Sequence, residues 1–205
     1  MPTPFVKICG LSTPESVDCA VEHGADAVGF VFADSVRRVT PEQARALAAR
    51  VPDGKETVGV FRSQPIDEVI ETARAAKVTT IQFHGYEPLG DVKRAQAEGF
   101  RTLRAFGIDE FAGLDAATRE SWATERVLID AVEPGGGVPF DVDQLDRDTL
   151  SGWWLLAGGL TPENVASLIS RLRPRGVDVS SGVEKSRGVK SLSRIAAFIA
   201  AAKRS

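Results

Sequence analysis

From Phe5 onward, short runs of β-branched and aromatic residues alternate with longer segments whose apolar positions recur at three- and four-residue spacing. Eight short runs read as strands: Phe5 to Cys9, Ala27 to Phe32, Thr57 to Phe61, Thr80 to His84, Arg101 to Ala105, Val127 to Asp130, Trp153 to Ala157 and Val177 to Ser180. Between them, segments such as Glu15 to Glu22, Glu42 to Arg50, Ile66 to Ala76 and Leu192 to Ala202 read as amphipathic helices. Alternation of this kind predicts an α/β fold around a parallel sheet. At about 25 residues per unit, the chain fits a single (β/α)8 barrel, one domain over residues 1–205. The triplet Thr-Pro-Glu recurs at Thr13, Thr40 and Thr161 after a strand and its loop. Each reads as a helix start, with threonine as cap, proline at the first helical position and glutamate as an early acidic charge.

Alternation within the strands separates two faces. One carries Val6 and Ile8, Ile81 and Phe83, Val127 and Ile129, Val177 and Val179, and suits packing against helices. The other carries Lys7 and Cys9, Gln82 and His84, Leu128 and Asp130, Asp178 and Ser180, and is expected to face the barrel axis. Barrel interiors are normally packed with branched apolar residues. So many inward polar groups are costly unless they pair with one another or serve a ligand. Cys9, His84, Asp130 and Ser180, nearest the carboxyl ends of their strands, are expected around the mouth.

The stretch from Leu155 to Glu184 reads strand, glycine turn, helix, strand, glycine turn. The turns at Gly158-Gly159 and at Ser180-Ser181-Gly182 follow the last two strands, where backbone N–H groups can converge on an anion. Phosphate sites in strand–helix barrels are built there. A single Gly-Gly before a helix ordinarily marks only a tight turn; two such turns one helix apart point to a bound phosphate.

The formal charge of −3, from 25 basic and 28 acidic side chains, gives no electrostatic case for nucleic acid or an anionic membrane. A small soluble ligand fits better. No run approaches a membrane span and no charged, apolar leader precedes the first strand, so the expected location is cytoplasmic. Two cysteines, Cys9 and Cys19, are too few for a disulfide framework, and two histidines without ligand spacing argue against a metal site.

A thiol and a carboxylate facing each other across a mouth can act as base and acid on a sugar held by its phosphate. Buried cysteine usually behaves as a small hydrophobe, but Cys9 ends a strand just before Gly10. Asp130 ends the apolar run Val127-Leu128-Ile129, where a carboxylate is costly unless solvated or bonded. Cys19, on the first helix, reads as structural. Gln82, His84 and Asp178 are candidate substrate contacts; His84 has the alternative of bracing the loop after it. Lys7, one inward step below Cys9, either pairs with Asp178 or stabilises a thiolate, the ion pair being the ordinary outcome. Arg37 and Arg38 lie on the loop after the second strand, where a guanidinium can fork onto a carboxylate or simply remain solvated.

With these residues in place, the chain resembles the phosphoribosylanthranilate isomerase family nearly end to end. The stretches that carry the likeness are Lys7-Ile8-Cys9-Gly10-Leu11, Gly24 to Phe32, Val58-Gly59-Val60-Phe61, Gln82-Phe83-His84-Gly85, Ala157 to Val165 and Val177 to Glu184. The resemblance implies a TIM barrel that performs an Amadori rearrangement of N-(5-phosphoribosyl)anthranilate in tryptophan biosynthesis, without metal or organic cofactor. It implies Asp130 as general acid, Cys9 as general base and Arg37 on the anthranilate carboxylate. Phosphate would be held around Gly158, Gly159, Ser180, Ser181 and Gly182. A phosphosugar would be the partner, and the chain a monomer or homodimer. A thiol of ordinary pKa is only slightly ionised at neutral pH, so a local group favouring the thiolate is expected.

Two stretches depart from the family pattern. Pro134-Gly135-Gly136-Gly137 lacks the hydroxyl usual after the acid's strand, and Arg187-Gly188-Val189-Lys190-Ser191 replaces Pro-Gly-x-Lys-Asp before the last helix. The related histidine-pathway isomerase would call for aspartate at Cys9. A non-catalytic phosphosugar-binding barrel is a further alternative.

Overall fold

The computed structural model describes residues 3–131, 150 and 152–205. All eight expected strands form: β1 (Phe5–Cys9), β2 (Ala27–Val31), β3 (Glu56–Phe61), β4 (Thr80–Phe83), β5 (Arg101–Gly107), β6 (Arg126–Asp130), β7 (Trp153–Ala157) and β8 (Gly176–Val179). They are parallel and paired in sequence order, and β8 closes onto β1 to make a complete barrel. The helices are α1 (Pro14–Glu22), α2 (Pro41–Ala48), α3 (Ile66–Ala76), α4 (Leu89–Ala97), α5 (Ile108–Ala112), α6 (Ala116–Trp122), α7 (Val165–Leu172) and α8 (Leu192–Lys203). After β8 come a single 3₁₀ turn (Ser181–Val183) and a two-stranded ribbon of β9 (Glu184–Ser186) and β10 (Val189–Lys190). None of the helices among the described residues is long and apolar enough to cross a membrane.

The two strand faces separate as the alternation requires. Val6, Ile8, Ile81, Phe83, Val127, Ile129, Val177 and Val179 belong to the apolar layer between barrel and helices. Inside the barrel a second, smaller cluster holds Leu103, Ala105, Leu128, Leu155 and Ala157, with Phe5 and Trp153 packed against it. Register places Lys7 beside Asp178, Gln82 beside Leu103 and Leu128 beside Leu155, so one continuous interior lies beneath the mouth. At the amino-terminal end, Glu56 accepts from Thr80 Oγ1 at 2.8 Å and Arg126 Nη1 at 3.0 Å. The Arg126 guanidinium lies 4.0 Å over the Trp153 ring and completes the barrel floor.

Two of the three Thr-Pro-Glu triplets cap helices as expected. Thr13 Oγ1 accepts from Ser16 N at the start of α1. Thr40 forms a reciprocal capping box with Gln43 at the start of α2. The third differs: Thr161 caps only a turn, and α7 starts at Val165 with Asn164 before it. Asn164 explains the difference. Its Oδ1 accepts from Thr161 N at 2.8 Å and its Nδ2 donates to Gly159 O at 3.0 Å, which holds residues 159–164 as a turn instead of a helix start. Three strands also end one residue early, β2 at Val31, β4 at Phe83 and β8 at Val179, the last two leaving His84 and Ser180 on the rim. His84 N still donates to Phe61 O at 2.8 Å, so the ladder fixes its backbone.

Candidate active site

The carboxyl ends of the strands surround a cavity of about 430 Å³. Every expected site residue lines it: Cys9, Asp130, Arg37, Gln82, His84, Asp178, Gly158, Gly159, Ser180, Ser181 and Gly182. They arrive from the ends of six strands, β1, β2, β4, β6, β7 and β8, or the loops beyond them, so only closure of the barrel brings them together. Arg38, one residue on from Arg37, is exposed and lies outside the cavity lining. Cys19 is buried on α1, where its sulfur approaches Leu192 O, as a structural residue would. The Pro134–Gly137 stretch lies outside the described residues.

The two glycine turns meet directly. A side chain at Gly182 would come within 1.8 Å of Leu160 O, so this backbone contact exists only because residue 182 has no Cβ. Gly158 and Gly159 both take positive φ, 86° and 62°, and turn the chain sharply out of β7. The result is a concave backbone wall on one side of the cavity, of the kind that cradles oxyanions.

On the β1 side, Lys7 Nζ donates to Asp178 Oδ1 at 2.9 Å, and the two side chains are 1% and 9% exposed. The ion pair is thus the principal role of Lys7. Burial draws the Lys7 ammonium down, but the charges of Asp178 and Cys9 outweigh it and hold its pKa above the ordinary value. Cys9 itself is buried, and that burial pushes the thiol up; Lys7 pulls it down, Asp178 pushes it up and Lys190 pulls it down. The local cations that the chemistry calls for are present, and desolvation by burial outweighs them.

Across the cavity, Asp130 Oδ2 lies 3.6 Å from His84 Nε2, both groups partly exposed. His84 Nδ1 is 3.0 Å from Gln82 Nε2, which fixes the ring's orientation. Gln82 is 1% exposed and its Oε1 has no partner among the described residues. A carboxyl group therefore stands at one wall and a thiol at another, with the concave backbone turns after β7 and β8 beside them.

Arg37 differs from the simple expectation. Its Nε and Nη2 donate to the two oxygens of Glu184 at 2.6 and 2.9 Å, so that fork is already occupied. Any further carboxylate must use the outer Nη edge. Glu184 also accepts from Gly188 N and Lys190 Nζ. Burial opposes its charge, yet Arg37, Gly188 and Lys190 together lower its pKa to about 2.

Sequence reading missed three groups: Glu184 as an acceptor, Lys190 as a buried cation and Arg62 on the cavity wall after β3. Arg62 was detectable as a charged residue immediately beyond the apolar run Val58-Gly59-Val60-Phe61. A smaller hollow of about 230 Å³ adjoins the main one and shares Arg62, His84 and Asp130 with it. Among the described residues no three or more His, Cys, Asp or Glu side chains cluster closely enough to ligate a metal ion.

The family model for N-(5'-phosphoribosyl)anthranilate (PRA) isomerase matches residues 6–201. The chain is 43% identical to the N-(5'-phosphoribosyl)anthranilate isomerase of Deinococcus radiodurans over 204 residues, covering 98% of this chain and 97% of that one. It superposes on the phosphoribosyl anthranilate isomerase of Thermotoga maritima with TM-score 0.87 at 36% identity, covering 98% and 100% of the two chains. A phosphoribosyl anthranilate isomerase solved in complex with reduced 1-(o-carboxyphenylamino)-1-deoxyribulose 5-phosphate superposes with TM-score 0.82 at 35% identity, covering 98% and 100%. A closed barrel, a mouth lined by thiol and carboxyl groups, and likeness along nearly the whole chain agree: the chain belongs to the N-(5'-phosphoribosyl)anthranilate isomerase family.

Proposed function

We propose that this cavity carries out the family's reaction, the Amadori rearrangement of N-(5-phosphoribosyl)anthranilate to 1-(2-carboxyphenylamino)-1-deoxyribulose 5-phosphate in tryptophan biosynthesis. The observation that carries the proposal is the convergence of Cys9, Asp130 and the paired glycine turns on one cavity. Residues 1–205 act as one catalytic unit.

In this reading, the amides around Gly158, Gly159, Ser181 and Gly182 hold the phosphate, with Ser180 beside them. Asp130 protonates the ribose ring oxygen as the C1–O bond opens. Cys9, as the thiolate, takes the C2 proton to leave an enolamine. Tautomerisation to the ketone places a proton on C1 and releases one from the C2 hydroxyl, so the proton count closes. The outer edge of Arg37 takes the anthranilate carboxylate. His84, oriented by Gln82, faces Asp130 and the sugar, and Asp178 borders the sugar while it neutralises Lys7.

The direct test follows the anthranilate fluorescence of the substrate. Mixing it with the protein should extinguish the signal at a rate proportional to enzyme, with formation of the ribulose product. Persistent fluorescence at saturating protein would reduce the chain to a phosphosugar binder.

A further inference from the structure

Glu184 stands at the centre of a charge chain that passes over Gly10, the residue after Cys9. Its carboxylate accepts from Arg37 Nε at 2.6 Å, Arg37 Nη2 at 2.9 Å, Gly188 N at 2.9 Å and Lys190 Nζ at 3.0 Å. Lys190 in turn donates to Ser180 O at 2.8 Å and Ser180 Oγ at 3.2 Å, so each of its three N–H groups has an acceptor. Arg37 follows β2 and Ser180 follows β8, and both strands flank β1. The run Arg37, Glu184, Lys190, Ser180 therefore arches across the carboxyl end of β1. Gly10 lies beneath it. A Cβ there would meet Arg37 Cδ at 2.8 Å, Ser180 Oγ at 3.1 Å and Lys190 Nζ at 3.5 Å. The arch rests on bare backbone, one residue from the thiol.

We propose that Glu184 is a positioning residue for substrate recognition: by occupying the inner fork of Arg37 and tying it through Lys190 to the phosphate turn, it sets the distance between the two anionic ends of the substrate. The inference rests on the function proposed above. Glu184 touches neither reacting atom. It decides which edge of Arg37 faces the cavity and locks the arm that carries that edge to Ser180. A planar guanidinium held on one edge presents its other edge in a fixed direction, which a free arginine arm on an exposed loop does not. The role accordingly belongs to binding of the carboxylate end, and proton transfer by Cys9 and Asp130 should be largely indifferent to it.

The test compares wild type, E184Q, R37A and the double variant R37A/E184Q, each first confirmed as folded by circular dichroism and thermal unfolding. For N-(5-phosphoribosyl)anthranilate, E184Q should raise KM about tenfold or more and change kcat less than about threefold. In the R37A background the same change should raise KM no further, because the arm it positions is gone. Unchanged KM in E184Q, equal loss of kcat and KM, or full additivity with R37A would overturn the proposal. If E184Q does not fold, E184D, which keeps the charge on a shorter arm, carries the same expectations. Absence of turnover in wild type would instead defeat the underlying function, so the two failures are distinct.

Discussion

Lys7 Nζ lies 2.9 Å from Asp178 Oδ1 inside the barrel, on adjacent strands and one inward step below Cys9. Removing one partner of a buried pair leaves the other desolvated and uncompensated, which costs about 3–5 kcal/mol. Lys7→Met should therefore lower the urea midpoint by that equivalent. The double change Lys7→Met with Asp178→Leu should recover most of the loss, because apolar side chains suit a barrel interior. A single variant as stable as wild type would show that the pair contributes nothing.

The Cys9 thiol is held above the ordinary cysteine value chiefly by burial, with Lys7 and Lys190 pulling the other way. The ligand-free protein should therefore carry Cys9 mostly as the thiol at neutral pH. In a Cys19→Ser background, the rate of iodoacetamide alkylation should rise with pH and reach half its limit only above the ordinary cysteine range. Lys7→Met should move that midpoint further up, since it removes the larger of the two cationic influences. A midpoint near neutrality would contradict the geometry.

Chemistry and grip should separate by mutation. Cys9→Ala and Asp130→Ala should each lower kcat by about a hundredfold or more while the affinity for inorganic phosphate, measured by calorimetry, stays within about twofold. Phosphate binding lost in parallel with turnover would mean that these side chains shape the cavity instead of moving protons.

Glu184 has a pKa of about 2, below its ordinary 4.5, so the folded state prefers the carboxylate. Its contribution to stability is complete above pH 4.5 and is lost as the pH falls through that value toward 2. The urea midpoint of wild type should fall between pH 5 and pH 3 by more than that of Glu184→Gln, which has no proton to take up there. Parallel curves for the two proteins would place the titration elsewhere.

Alternation by twos along the chain determined the strands, their two faces and the inward positions of Cys9, Gln82, His84, Asp130 and Asp178, because a side chain's face follows from the backbone pleat alone. It also favoured the Lys7–Asp178 pair over a thiolate-stabilising role for Lys7, since two charges on one apolar interior have few other partners. Local pattern misjudged Thr161, where Asn164 three residues on competes for the same backbone groups and delays the helix. What only the tertiary structure decided is the arch from Arg37 to Ser180. Arg37 and Glu184 lie 147 residues apart in the chain and meet because β8 closes beside β1. No periodicity encodes which loop arginine finds which carboxylate. That choice is made by the curvature of the closed sheet and by the bare backbone at Gly10 that lets the arch settle.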